Sequence, residues 1–314
     1  MFPCAQRIRL AMILAAASGL AACADPHAPC TLGTAADLPV TTAQRAFFTD
    51  IIINGGIAHV RVDTGSATNL ISDATAERLH MTQQMLMGAA IHGVGGARPV
   101  NLAISDTVQL GRAHGNHIAF MTVGNDTFPP GTDGLLGMDF LSQFDDDLDF
   151  RFGHLRLVRT HGNCTFPNSP LPQPLYAVKY RTLAQWGSPV VDVVINGKTL
   201  SAVIDSGATY SLLFRSSARR VGLSVDHVLE ASSGSIHGVG TGTTHAALGK
   251  LRVPVEIGAL SISNLPMTIV DQESGGNVDM LLGYDFENLV HLWISHSSHT
   301  LLMQYPAQPT PVAR

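Results

Sequence analysis

Most of this chain reads as short apolar and β-branched runs interrupted by turn-forming residues. Phe47 to Ile53 and Ile57 to Val62 are two such runs, and the Asn54-Gly55-Gly56 between them predicts a β-hairpin. The pattern returns later as Val190 to Ile195, Asn196-Gly197-Lys198 and Thr199 to Ile204. Helices are suggested only at about Asp73 to Leu79 and Ser216 to Val221. With 30 glycines punctuating short strands, the expected fold class is mainly β.

The recurrence extends beyond the hairpin. In both copies nine positions separate the turn asparagine from an aspartate, giving Val62-Asp63-Thr64-Gly65-Ser66 and Ile204-Asp205-Ser206-Gly207-Ala208. Ile91-His92-Gly93-Val94-Gly95 is answered by Ile236-His237-Gly238-Val239-Gly240. Asp133-Gly134-Leu135-Leu136-Gly137-Met138-Asp139-Phe140 is answered by Asp279-Met280-Leu281-Leu282-Gly283-Tyr284-Asp285-Phe286. The offsets are 142, 145 and 146 residues, in one order and with a slow drift. A period this long describes a duplicated domain rather than a solenoid. The halves are read as 40–160 and 175–306. Pro167, Pro170, Pro172 and Pro174 mark 161–174 as an extended linker, because proline breaks helices and removes ladder donors.

Composition narrows the function classes. The chain has 314 residues, 45% of them apolar, so each half is long enough to bury its own core. Only 14% are charged, the net charge is −5 and no basic stripe occurs, which argues against a nucleic-acid partner. Residues 1–24 read as a signal peptide: Arg7 and Arg9, an apolar run from Leu10 to Leu20, then small residues. Leu20-Ala21-Ala22-Cys23 also resembles a lipobox, which would lipidate Cys23. Ala22-Cys23-Ala24 alternatively fits ordinary cleavage before Asp25. No transmembrane run follows, so any membrane attachment would be by lipid alone, and the expected location is the bacterial cell envelope, in the periplasm. Cys30 and Cys164 are then an even pair in an oxidising compartment and candidates for a disulfide. Residues 25–40 read as a tether, with a cleft-blocking segment or an added strand as alternatives.

The chemistry lies in the repeated Asp-Thr/Ser-Gly turns. One such turn is unremarkable, since aspartate, serine and glycine all favour turns. Two in matched contexts can hold two carboxylates rigidly side by side. Like charges about 3 Å apart share one proton, so one aspartate serves as general base and the other as general acid. Gly65 and Gly207 allow a tight backbone there.

On these residues the chain resembles the retropepsin-like aspartic proteases, in the bacterial branch whose two halves are fused in tandem. The resemblance covers both halves. It implies two closed-barrel β domains related by a pseudo-two-fold axis, with the active site between them. Pepsin-like enzymes share the two-domain plan but have longer lobes, so the shorter fold is expected. The implied activity is cleavage of extended polypeptides by a water that Asp63 and Asp205 activate, without a cofactor or a metal and as a monomer. Thr64 and Ser206 match the hydroxyls that bond across the dyad. Gly137 and Gly283 match the glycines that pass behind it. His92, Gly93, Val94 and Gly95 in the first half, and His237, Gly238, Val239 and Gly240 in the second, match the place of glycine-rich flaps.

One asymmetry stands out: Ser66 follows the first Gly and Ala208 the second. A Ser66 hydroxyl donating to a carboxylate would leave Asp63 the ionised member and Asp205 the protonated one. Asp145, Asp146, Asp147 and Asp149 read as a solvated acidic loop, and Asp139 and Asp285 as turn residues. His92 and His237 read as surface histidines. The rival from another class is a peptide-binding envelope lipoprotein of the same fold that does not cut.

Overall fold

The computed structural model describes residues 30–93, 96–162, 171, 174–183, 187–224, 234–236, 244–270 and 278–306, with backbone alone at 234–236 and 244–251. The predicted hairpins form from Ala46–Ile53 with Gly56–Val62 and from Pro189–Ile195 with Lys198–Ile204. Their turns need positive φ at both central residues. Asn54 and Gly55 adopt 49° and 83°, Asn196 and Gly197 51° and 72°. The asparagine is repeated for a second reason as well. Its side-chain amide donates to the C-terminal carbonyl of the helix that follows, Asn54 to Leu79 at 2.9 Å and Asn196 to Val221 at 3.0 Å. Those helices span Asp73–Arg78 and Arg215–Arg220, where the sequence suggested them.

Among the described residues each half builds its own sheet, of ten strands in the first and eight in the second. In both, the Leu-Leu strand of the repeat threads between the two strands flanking the aspartate. Gly134–Leu136 lies parallel to Gly56–Val62 and antiparallel to Leu70–Ser72, and Met280–Leu282 repeats this against Lys198–Ile204 and Leu212–Phe214. The aspartate opening each Leu-Leu segment locks it in place. Asp133 accepts from the His59 N–H (2.8 Å) and the Thr75 hydroxyl (2.7 Å), and Asp279 from the Ser201 N–H (2.8 Å) and the Ser217 hydroxyl (2.8 Å). Arg78 and Arg220 complete the two clamps from the helices. The strand face turned from solvent is apolar: Phe47, Ile51, Ile53, Val60 and Val62 are fully buried, as are Val193, Ile195, Leu200, Ala202 and Ile204.

A third sheet joins the halves. Its six strands run in the order Thr31–Pro39, His154–His161, Asp145–Asp149, His291–Ser295, Thr300–Gln304 and Leu175–Lys179. The first three come from one half and the last three from the other, so the pseudo-axis passes between Asp145–Asp149 and His291–Ser295. Two sequence expectations are corrected here. Within 25–40, the residues Thr31–Pro39 are not a tether but an edge strand paired along His154–His161. The acidic run is not a solvated loop but a fully buried central strand.

That strand survives burial because its carboxylates find partners. Asp147 bonds His291 across the seam and takes an Arg156 guanidinium N–H at 3.1 Å. Asp146 meets His296 Nε2 at 2.9 Å, and Asp145 accepts the His296 N–H at 2.9 Å. These histidine partners lie 144 to 151 residues away in sequence, which is why a local reading saw only a charged run.

Candidate active site

Asp63 and Asp205 sit one residue past the strands Gly56–Val62 and Lys198–Ile204. Their own N–H groups still donate to the threading strand, Asp63 to Leu136 at 3.0 Å and Asp205 to Leu282 at 2.9 Å. The aspartates are therefore held by sheet hydrogen bonds although they begin loops. Both remain half-buried, so solvent reaches them.

The two loops are bolted to each other. The Thr64 N–H donates to Ser206 Oγ at 2.9 Å, and the Ser206 N–H donates to Thr64 Oγ1 at 3.0 Å. Each hydroxyl then donates across the axis to the residue before the other aspartate, Thr64 to the Ile204 carbonyl and Ser206 to that of Val62, both at 2.9 Å. Thr64 and Ser206 are fully buried, and all four bonds cross between halves.

The glycines that follow have a purpose visible only in the assembled pair. A Cβ on Gly65 would overlap the Asp205 carboxyl, and one on Gly207 would overlap the Asp63 carboxyl. Each glycine thus makes room for the opposite half's acid, and the Gly65 N–H also donates to Asp63 Oδ1 at 3.0 Å. Gly137 and Gly283 press against the backs of the loops, where a Cβ would strike the carbonyls of Thr68 and Ala208. Their N–H groups donate to Asn69 Oδ1 (2.9 Å) and Ser211 Oγ (3.1 Å). Asp139 and Asp285, read as turn residues, instead lie in short helices, Met138–Leu141 and Tyr284–Glu287, and take the N–H groups of Asn69 and Ser211.

The Ser66 expectation is overturned in its cause. The Ser66 hydroxyl donates to the Thr68 carbonyl at 2.9 Å, not to a carboxylate, and Ala208 in the other half is buried. Burial pushes both aspartates above the usual carboxylate range. The Asp63 charge pushes Asp205 further, while the Arg61 guanidinium pulls both down. The pair titrates as one unit.

Arg61 was not singled out in the sequence. Neither was Arg45, which crosses from the first half to the second. Its guanidinium lies 4.7 Å from the ring centres of both Tyr210 and Tyr284, donates to the Thr209 carbonyl at 3.1 Å and pairs with Asp285. Neither arginine is repeated in the second copy, so the duplication gave no signal.

Among the flap residues, His92 and Gly93 lie in the strand Ala90–Gly93, which pairs with Gly96–Pro99 as an exposed hairpin outside the main sheets. A bidentate pair from Arg98 to Asp126 ties its return strand to a neighbouring loop. Val94 and Gly95 lie outside the described residues, as do His237, Gly238, Val239, Gly240, Cys23 and Cys164. Cys30 is disulfide-bonded.

Residues 49–143 match the family model of the gag-polyprotein aspartyl protease, and residues 191–286 match the aspartyl protease family model. Two aspartyl protease domains stand in tandem in this chain. Among solved structures the chain is similar to the crystal structure of an aspartic proteinase from Irpex lacteus. The TM-score is 0.55 at 12% identity, covering 90% of this chain and 100% of that one. At that identity the likeness speaks for the fold, which is that of a two-lobed aspartic proteinase. No curated protein sequence matches. The two aspartyl protease domains meet at the cross-bonded loops and share the central sheet, so neither carries a complete pair of aspartates alone.

Proposed function

We propose that the protein is an aspartic endopeptidase in which Asp63 and Asp205 form the catalytic dyad within one chain. The observation that carries this reading is the reciprocal bonding of Thr64 and Ser206, which brings the two carboxyls together with each facing the other half's glycine. Burial and mutual charge keep one proton on the pair above the ordinary carboxylate range. The ionised member takes a proton from water as it attacks the peptide carbonyl, and the protonated member donates to the carbonyl oxygen. The tetrahedral intermediate then collapses as a proton passes to the leaving amine, with no covalent enzyme intermediate.

The hairpin Ala90–Gly93 with Gly96–Pro99 would close over an extended peptide, in keeping with the flap role its sequence suggested. Exported placement in the cell envelope accords with the leader-like residues 1–24 and with the disulfide at Cys30.

The test is cleavage of a diverse peptide mixture by the chain begun at Asp25, read by mass spectrometry across acid to neutral pH. Asp63→Asn and Asp205→Asn should each abolish cleavage. Cleavage that survives both substitutions would refute the dyad, and a wild type that binds extended peptides without cutting would favour the peptide-binding lipoprotein.

A further inference from the structure

One position breaks the duplication beside the aspartates themselves. Arg61 stands two residues before Asp63 on the strand Gly56–Val62, and Val203 stands two residues before Asp205 on Lys198–Ile204. Successive side chains of a strand alternate between faces, so Arg61 shares the face of Asp63, opposite the fully buried Val60 and Val62. Its direct neighbours across the sheet are Phe48 on one side and Leu135 on the other. Ile91 of the candidate flap hairpin packs against the apolar cluster that holds Leu135, so Arg61 lies on the face this hairpin covers. From there its guanidinium reaches the loop that carries Asp205, donating to Thr209 Oγ1 at 3.4 Å.

The second half is apolar at each matching place. Val203 lies between Val190 and Leu281, and the three join one cluster with Val278. Arg61, by contrast, is poorly satisfied. A guanidinium carries five N–H donors. That of Arg61 is half-buried, its Nε has no hydrogen-bond partner, and its bond to Thr209 is long. Arg45, Arg78, Arg98 and Arg220 each hold an aspartate, but no carboxylate pairs with Arg61 among the described residues. Its charge favours the ionised form of Asp63 and Asp205, yet no hydrogen bond joins it to either. A partly buried cation with open donors is costly, and an anion arriving with the ligand would satisfy it.

We propose that Arg61 selects an acidic side chain, aspartate or glutamate, at one of the two substrate residues flanking the cut bond. Val203 and its cluster take an apolar residue on the other side. The proposal rests on the reading of Asp63 and Asp205 as the working dyad and names the substrate class of that site. Successive side chains of an extended peptide point to opposite sides, so the two flanking residues meet different halves. Each half walls the site with the residue two before its aspartate, and those walls differ as Arg61 differs from Val203. A carboxylate under the hairpin meets a planar fork of donors suited to its two oxygens, in a place shielded from water. A lysine or arginine there meets a like charge and is rejected.

The experiment uses the full mature chain. In a diverse peptide mixture, cleavage sites should carry aspartate or glutamate on one side of the cut bond and an apolar residue on the other. Synthetic pairs that differ only by glutamate or glutamine at that position then give a ratio of kcat/KM within each protein. This ratio is independent of how much the dyad itself has changed. Wild type should favour glutamate by about 10- to 100-fold, the worth of a charge-assisted hydrogen bond. Arg61→Leu should bring the ratio near one, and Arg61→Lys should keep part of the preference. Sites without acid enrichment, or an unchanged ratio in Arg61→Leu, overturn the proposal. Binding is read separately by fluorescence anisotropy, with a labelled peptide of alternating glutamate and leucine and its glutamine counterpart. Asp205→Asn should bind the glutamate peptide more tightly by the same factor, and adding Arg61→Leu should remove the difference. Equal binding of the two peptides overturns the proposal. A wild type that cleaves nothing would remove the protease reading, and the binding comparison would still decide the acidic preference.

Discussion

Thr64→Val tests the bolt between the halves. Valine keeps the shape of threonine and removes only the hydroxyl. Two groups then lose their partner, the Ser206 N–H that donates to Thr64 Oγ1 at 3.0 Å and the Ile204 carbonyl that accepts from it at 2.9 Å. Thr64 is fully buried, so water does not replace the lost bonds. Each orphaned buried group costs roughly 1–3 kcal/mol, which makes the expected loss roughly 2–6 kcal/mol. In a chain of this size that lowers the unfolding midpoint by about 3–9 °C. Ser66→Ala is the internal control. It removes a hydroxyl two positions away whose one bond is to the nearby Thr68 carbonyl, at a half-buried site. It should cost less than about 1 kcal/mol and leave the pH–rate profile in place. Chemical denaturation followed by fluorescence and by far-ultraviolet circular dichroism would report both. A Thr64→Val protein within about 1 kcal/mol of wild type, or one no less stable than Ser66→Ala, would refute the argument that the cross-bonds hold the halves together.

Other outcomes follow from the same geometry. Gly207→Ala should eliminate cleavage even in protein that folds, because its Cβ would displace the Asp63 carboxyl; wild-type kcat/KM would refute this. Arg45→Ala leaves the nearly buried Asp285 without its cation and should cost roughly 3 kcal/mol by denaturant titration. Stability should also depend on pH with a definite sign. Burial raises Asp63, Asp205, Glu287 and Asp139, and raises Asp146 to about 6, so these acids favour the fold below the ordinary carboxylate range and lose that contribution as pH rises through their raised values. Burial opposes the charged forms of Asp133 and Asp279, but hydrogen bonds from neighbouring N–H groups, hydroxyls and arginines prevail and lower both. Their contribution is present above the ordinary value and lost in stronger acid. Thermal unfolding midpoints should therefore peak in mild acid and decline toward neutrality; a midpoint that climbs from pH 5 to pH 8 would contradict the burial of these groups.

What the sequence determined by itself was everything local or duplicated. The Asn-Gly turns, the strands beside them, the two short helices and the paired Asp-Thr/Ser-Gly loops were legible because turn chemistry is written in adjacent residues and because each half repeats the other. Tertiary structure alone decided what passes between the halves. The acidic run at Asp145–Asp149 reads as a solvated loop until His291, His296 and Arg156 are brought beside it. The segment Thr31–Pro39 becomes a strand only because His154–His161 offers an edge. Ser66 looks like the dyad's donor until its hydroxyl turns to Thr68, while Arg45 and Arg61 break the duplication and so had no second copy to announce them. The physical reason is that each outcome depends on a partner that only folding supplies: the cost of burying a charge is set by such partners, and the histidines that meet the acidic run lie 144 to 151 residues from it along the chain.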